Sequence, residues 1–433
     1  MQKRNLLIII LFLFTGTIGW SAERIRQNFD FDWQFRLGEQ GIYKPVQLPH
    51  DWSIELDFNE EVGPESGYLP GGIGYYKKDF NVPASYKGKR VSIVFDGIYH
   101  KATIYLNGQE VDYHRYGYTS FETDLTPYLK YGGKNTLSVK VDHSEKSRWY
   151  TGSGIYRHVW MQVTNPIHVK MWGTYITTPR VSAESAIVSC VTTVANTSAL
   201  TGEIEIMQRI VDAQGNLLKI NGKQYAARTE VVMPENGTKD IAQSFTLSNP
   251  QLWNLEKPYL YRLETILKQK GKVIDRYTTR FGVRTIGFDK DKGFFLNGKN
   301  IKMKGACLHQ DAGCLGVAVP NRSYERRLTI LKEFGANAIR CSHNPPSPEF
   351  LNYCDSIGFL VVDEAFDKWK SGYYEQFFDE CWQQDIRDMI VRDRNHPSIV
   401  LWSIGNELAE ATRKDNVGVE RATLLRDFVH KLE

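Results

Sequence analysis

The chain holds no Cys-x-x-Cys pair, no block of like charge, no tandem repeat and no low-complexity linker. Its six cysteines, Cys190, Cys307, Cys314, Cys341, Cys354 and Cys381, lack the spacing that builds a zinc site. Several flank apolar strand-like runs, so mostly buried thiols are expected. Lys and Arg number 54 against 50 Asp and Glu, a formal net charge of +4. That surplus is too small for a nucleic-acid or anionic-membrane surface. The longest apolar run, Leu6 to Phe14, falls short of the roughly 20 residues a membrane span needs. Lys3 and Arg4 precede it, small residues such as Gly19 and Ser21 follow, and no cysteine is there to carry a lipid. Residues 1–22 therefore read as a secretory signal peptide. The expected mature chain is soluble, without membrane attachment after cleavage, and either periplasmic or secreted. What the sequence does have is aromatic: 10 Trp, 23 Tyr and 21 Phe in 433 residues. That excludes disorder over most of the length. Such rings fill cores, and they also stack on sugar faces.

Three textures follow one another. Over 23–165, short runs alternate apolar and polar residues with period two: Arg90 to Phe95, Ala102 to Leu106 and Thr136 to Val141. Asn107-Gly108 is a hairpin signal. Repeated strands without a helical stretch predict a jelly roll or sandwich. Over 166–283, about seven strand-like segments, among them Ile187 to Val194, Gly202 to Val211 and Tyr259 to Leu267, predict an immunoglobulin-like sandwich. Over 284–433, strand and helix alternate. Strands are expected at Ile301 to Ala306, Ala336 to Cys341, Phe359 to Val362 and Ile399 to Trp402. The helices between them are marked by Tyr324, Leu328, Leu331 and Phe334, by Pro348 to Ser356, and by Phe378, Trp382, Ile386 and Met389. Val417 to Lys431 is a fourth helix. This alternation implies a parallel sheet, open or closed as a (β/α)8 barrel, of which four units are present.

Each of these last strands ends in polar residues: His309-Gln310-Asp311, then Arg340 with His343 and Asn344, then Asp363-Glu364, then Asn406-Glu407. Carboxy-terminal strand ends are where such barrels do chemistry. A carboxylic acid that protonates a departing sugar oxygen needs a raised pKa, which an apolar strand end supplies by desolvation. A neighbouring amide can bind a substrate hydroxyl without titrating. Asp363 and Glu364 are the upstream candidates for a second reactive carboxylate, with pairing to Arg340 or Arg394 as the structural alternative.

The run Arg394-Asn395-His396-Pro397-Ser398-Ile399-Val400-Leu401-Trp402-Ser403-Ile404-Gly405-Asn406-Glu407 resembles the acid/base signature of glycoside hydrolase family 2. Asn337 to Pro345 and Val361 to Ala365 reinforce the resemblance. So do Ala102 to Gly108, Asp124 to Leu129 and Gly152 to Arg157 in the first region, and Phe281-Gly282-Val283-Arg284 at its passage into the last. The resemblance implies a sugar-binding jelly roll, an immunoglobulin-like domain and the first half of a TIM barrel. It makes Glu407 the general acid/base and Asn406 a contact to the hydroxyl beside the anomeric carbon. His309 and His343 would line the sugar subsite, Arg340 would hold strand-end carboxylates such as Glu364, and Arg148, Trp149 and Tyr150 would reach in from the jelly roll. The implied substrate is an oligosaccharide or other glycoside, and β-galactosidase is the implied activity. β-Glucuronidase and β-mannosidase remain alternatives within the family.

Two departures qualify the resemblance. Metal-dependent members carry a Glu and a His after the Asp-Glu-Ala segment; the matching positions here are Lys368 and Lys370, so no metal or other cofactor is expected. The family's nucleophile, a Glu on the seventh strand, has no counterpart in these 433 residues. The chain by itself is therefore expected to be inactive, and a non-catalytic carbohydrate-binding product is the competing reading. Oligomerisation stays open.

Overall fold

A computed structural model describes residues 23–433 except 146, 221–222, 371–372, 413 and 415. The expected leader, 1–22, lies outside the described residues. The chain folds into a jelly-roll-like β-sandwich, an immunoglobulin-like sandwich and four βα units of a barrel.

The first domain packs a six-stranded antiparallel sheet, centred on Gly72–Val82 and Gly133–His143, against a four-stranded one containing Arg90–Phe95 and Val159–Thr164. The period-two runs bury one face: Ala102, Ile104 and Leu106 are fully enclosed, as are Leu137, Val139 and Val141 on the paired strand. Trp33, Trp52, Tyr76 and Phe95 fill the space between the sheets. Asn107 and Gly108 both take positive φ, 54° and 85°, as a two-residue hairpin turn requires. The second domain pairs a three-stranded with a four-stranded antiparallel sheet, Ile167–Val181 to Lys272–Phe281.

A small antiparallel ribbon, Ile286–Asp289 to Lys299–Asn300, leads into four parallel strands: Gly305–Leu308, Ala338–Cys341, Leu360–Glu364 and Ile399–Ser403. Helices α1 (Asn321–Glu333), α2 (Pro348–Ile357), α3 (Phe378–Asp393) and α4 (Val417–Leu432) follow them in turn. The Ser347 hydroxyl accepts from the Phe350 amide and caps α2 with Pro348 at its first position.

Three expectations need correction. The first barrel strand starts at Gly305, not Ile301, because the Ile301 amide donates to the Phe294 carbonyl (2.9 Å) and stays with the ribbon. Phe334 is not on a buried helix face: it caps α1 and is 87% exposed. The thiols are not mostly buried: Cys190, Cys341 and Cys354 are, but Cys307 and Cys314 are exposed. Cys307 is on the first barrel strand, most of which is exposed.

The domains meet through polar joints. The Trp253 indole donates to the Asp355 carbonyl (2.8 Å). Asn395 bridges to strand Ile167–Val181, donating to the Thr174 carbonyl and accepting from the Ile176 amide. A Cβ on Gly282 would stand 2.7 Å from the Pro397 Cβ, so close approach demands glycine there. On the jelly-roll side Arg392, 2% exposed, grips Asp393 bidentately and donates to Ser120 (3.0 Å) and the Pro346 carbonyl (2.7 Å).

Candidate active site

The parallel register sets Arg340 beside Val362 and Glu364 beside Ser403, so the strand ends converge. Glu364, fully buried, is the hub. Arg340 donates to its two oxygens through Nε (2.9 Å) and Nη2 (3.1 Å), His343 Nδ1 lies 2.6 Å from Oε1, and the Ser403 hydroxyl donates to Oε2 (2.7 Å). This carboxylate is saturated, which suits holding neighbours rather than attacking a substrate. Arg340 Nη2 also donates to Asn406 Oδ1 (3.0 Å). Asn406 Nδ2 donates to Asp367 Oδ1 (2.8 Å), which fixes the amide's orientation from both sides. Asp363, the other candidate carboxylate, faces away toward Arg392 and Asp393. Burial, then the Asp393 charge, hold it well above the usual carboxylate range.

Glu407 stands just past the fourth strand with φ 44°. Its carboxylate accepts from Arg148 Nη2 (2.8 Å) and Lys368 Nζ (3.1 Å) and remains 65% exposed. Lys368 Nζ donates further to the backbone carbonyls of Glu407 (2.6 Å) and Asn406 (3.3 Å), pinning the turn. The desolvated, raised carboxyl expected at this position is not what the structure shows. Hydrogen bonds from Arg148 and Lys368 depress it to about 2, because two cations reach a group that burial does not touch.

Arg148 crosses from the jelly roll, holding Asp367 with one nitrogen and Glu407 with the other. Trp149 follows it into the site, its ring 5.0 Å from His309 and 5.6 Å from His343, themselves 5.4 Å apart. Burial, then His343, push His309 below the usual imidazole range, leaving it neutral at pH 7. His309 Nδ1 and Trp149 Nε1 are buried with no hydrogen-bond partner. Two orphaned polar atoms beside one another are costly unless a ligand satisfies them. Asp51 braces the loop: it accepts from the Tyr150 hydroxyl (2.5 Å), the Ser153 amide (2.9 Å) and the Val317 amide (3.0 Å). Tyr150 thus points at Asp51 and positions its neighbours.

Three family profiles match in order: the sugar-binding domain of glycosyl hydrolases family 2 over residues 30–166, the family 2 domain over 167–284, and the family 2 TIM barrel domain over 289–423. The chain belongs to glycoside hydrolase family 2. A β-galactosidase of Bacteroides ovatus is 44% identical over 436 residues, covering 95% of this chain and 50% of that protein. A β-glucuronidase of Formosa agariphila is 31% identical over 431 residues, covering 89% and 42%. The crystal structure of a family 2 member from Bacteroides cellulosilyticus superposes with a TM-score of 0.89 at 39% identity, over 94% of this chain and 55% of that one. The chain spans about half the length of the curated relatives it matches.

Within this family 2 chain, the long signature divides in two. Asn395, His396, Pro397 and Ser398 build a domain joint: His396 Nδ1 is 2.6 Å from Asp355 Oδ2, and the Ser398 hydroxyl donates to Asp355 Oδ1 (2.7 Å). Ser403, Asn406 and Glu407 build the site. Arg394 pairs with neither strand-end carboxylate; it donates to the Leu432 carbonyl (3.1 Å). The positions that would serve a divalent metal do not fit one. Lys368 aims its ammonium at Glu407 and Lys370 aims at Asp379. Among the described residues no group of three His, Cys, Asp or Glu is arranged to hold a cation. Sequence reasoning missed Asp367, Lys368 as a Glu407 partner, and Asp51. Asp367 and Lys368 stand two and three residues after Ala365, in the Asp-Glu-Ala segment's own loop, which was the available signal.

Proposed function

We propose that the complete enzyme to which this chain contributes is an exported, retaining β-glycosidase with β-galactosidase activity. The observation that carries the reading is the Asn406–Glu407 pair at the end of the fourth parallel strand, its amide locked by Arg340 and Asp367 and its carboxylate presented to solvent. The β-galactosidase of Bacteroides ovatus, at 44% identity, supports the choice of sugar. The substrate's terminal sugar would lie over His309, His343 and Trp149 and give hydroxyls to the two orphaned nitrogens.

Glu407 protonates the leaving oxygen and then removes the proton from the attacking water, while a second carboxylate forms the glycosyl-enzyme. Among the described residues none supplies that nucleophile, since Glu364 is saturated and Asp363 faces away. The free carboxyl, held at about 2, is a poor acid store. Substrate binding must desolvate Glu407 or draw Arg148 and Lys368 off it before proton transfer.

Hydrolysis of aryl β-galactoside, β-glucuronide and β-mannoside by the complete enzyme is the test, with Glu407→Gln as control. Galactoside preference supports the reading. Glucuronide preference replaces it, and the cations Arg148 and Lys368 beside Glu407, together with the Formosa β-glucuronidase, favour that as the second reading. Turnover by the 433-residue chain itself, lost in Glu407→Gln, would overturn the expectation that these residues do not suffice.

A further inference from the structure

Where the jelly roll meets the barrel, five rings enclose a cavity of about 170 Å³: Tyr99, Tyr116 and Tyr118 from one side, Phe366 and Tyr374 from the other. An apolar cavity of about 150 Å³ is enough for one benzene ring. Native interiors seldom leave voids larger than a water, so a ring-sized gap in the tightest part of an inter-domain seam needs a reason. The rings pack on one another at 4.5 to 5.8 Å. Their hydroxyls are turned into the protein. Tyr116 donates to the Ala365 carbonyl, Tyr374 to Asp385, and Tyr99 and Tyr118 hydrogen-bond each other. What is left facing the cavity is carbon.

Its position relative to the acid/base is specific. Arg148 and Lys368 line the cavity, and both bind Glu407 Oε2. Trp149 and His343 also border it, whereas Arg340, Glu364, Asn406 and His309 do not. The cavity is therefore offset from the strand-end set that would hold the sugar, and it reaches the carboxylate through the two cations. On the acid/base side of a scissile bond stands the leaving group.

We propose that this cavity is the leaving-group subsite and that it takes a flat aromatic aglycone rather than a second sugar. The inference rests on Glu407 as acid/base. A pyranose would bring a rim of hydroxyls against carbon walls with few partners, an unfavourable burial. An aryl ring meets the tyrosine edges and faces in the offset and edge-to-face arrangements such rings favour.

The test is equilibrium binding to the 433-residue chain, followed by Trp149-dependent fluorescence and by calorimetry. The probes are methyl β-D-galactoside, phenyl β-D-galactoside, lactose and phenol. The phenyl glycoside should bind at least tenfold tighter than the methyl glycoside, and lactose should gain less than threefold. Ser147 borders the cavity and contacts no catalytic group. Ser147→Phe should fill the cavity and erase the phenyl advantage while leaving methyl galactoside affinity within twofold, which also reports that the variant is folded. Equal affinity for the methyl and phenyl glycosides overturns the subsite, and so does a larger gain for lactose than for phenyl. Phenol binding that Ser147→Phe abolishes, with no galactoside bound, would keep the aryl pocket and overturn the galactosidase reading instead. Absence of binding by every probe overturns both.

Discussion

Arg392 offers the sharpest test of how the site's scaffold is held. Its guanidinium is buried, grips Asp393 through two bonds of 2.6 and 2.7 Å, and ties α3 to Ser120 of the jelly roll and to the Pro346 carbonyl. Asp393 in turn presses on Asp363, one residue before the Glu364 hub. Arg392→Met keeps most of the volume but leaves Asp393 as a buried carboxylate without its cation. Removing one partner of a buried pair costs about 3–5 kcal/mol. The pH dependence separates charge from packing. In the variant, Asp393 would have its folded pKa raised above the unfolded value. Stability is then fully present below the unfolded value and is lost as pH rises through the folded one. The penalty against wild type should be largest near pH 7.5 and shrink toward pH 4.5. Urea unfolding of the purified chain, followed by tryptophan fluorescence at both pH values, reads it. A chain of three domains need not unfold in one step, so the comparison belongs to the transition that exposes Trp382, on α3 with Arg392. A penalty under about 1 kcal/mol, or one equal at the two pH values, would refute the reasoning.

Three further outcomes are expected. Lys368→Met should raise the Glu407 carboxyl from about 2 toward the ordinary carboxylate range, and Arg148→Met should do the same; carbon-13 NMR of labelled glutamate checks both, and an unmoved titration would show that the pairs do not form in solution. Burial lifts Asp388 to about 7, so the stabilisation it lends at low pH is lost as pH climbs from the ordinary carboxylate value through 7. Asp388→Asn should flatten the stability profile over that window and gain on the order of 1–2 kcal/mol at pH 8 in chemical denaturation. Gly282→Ala forces a methyl against Pro397 and should cost about 1–3 kcal/mol, read as earlier protease cutting between the second domain and the barrel.

Much of this was legible beforehand. The period-two runs gave strands because one face had to be buried: Gly202 to Val211 is a strand over the span its pattern suggested, and Asn107-Gly108 is the turn its φ tolerance implied. The strand-end polar clusters were visible because a polar residue is conspicuous directly after an apolar run. What escaped notice lay in partners distant in sequence. Nothing local says that Arg148 and Lys368 will share one carboxylate 259 and 39 residues away, so the Glu407 environment was expected to be dry and proved ion-paired. Nor could spacing tell that His396 and Ser398, inside the most recognisable motif, serve Asp355 and a domain joint instead of a substrate. Ile301 misled for a similar reason, its apolar neighbours belonging to the ribbon.

Asp51 carries a consequence in time as well as in space. It is completed by the Val317 amide, 266 residues further along the chain. As synthesis proceeds from the amino terminus, the jelly roll emerges first and domains fold as units. During that interval Tyr150 and Ser153 can already reach Asp51, but its remaining partner has not yet been made. Closing so long a loop is entropically slow relative to local pairing. The rim that carries Arg148 and Trp149 is therefore among the last features to set, and a growing chain will have a finished sugar-binding domain well before it has a finished binding site.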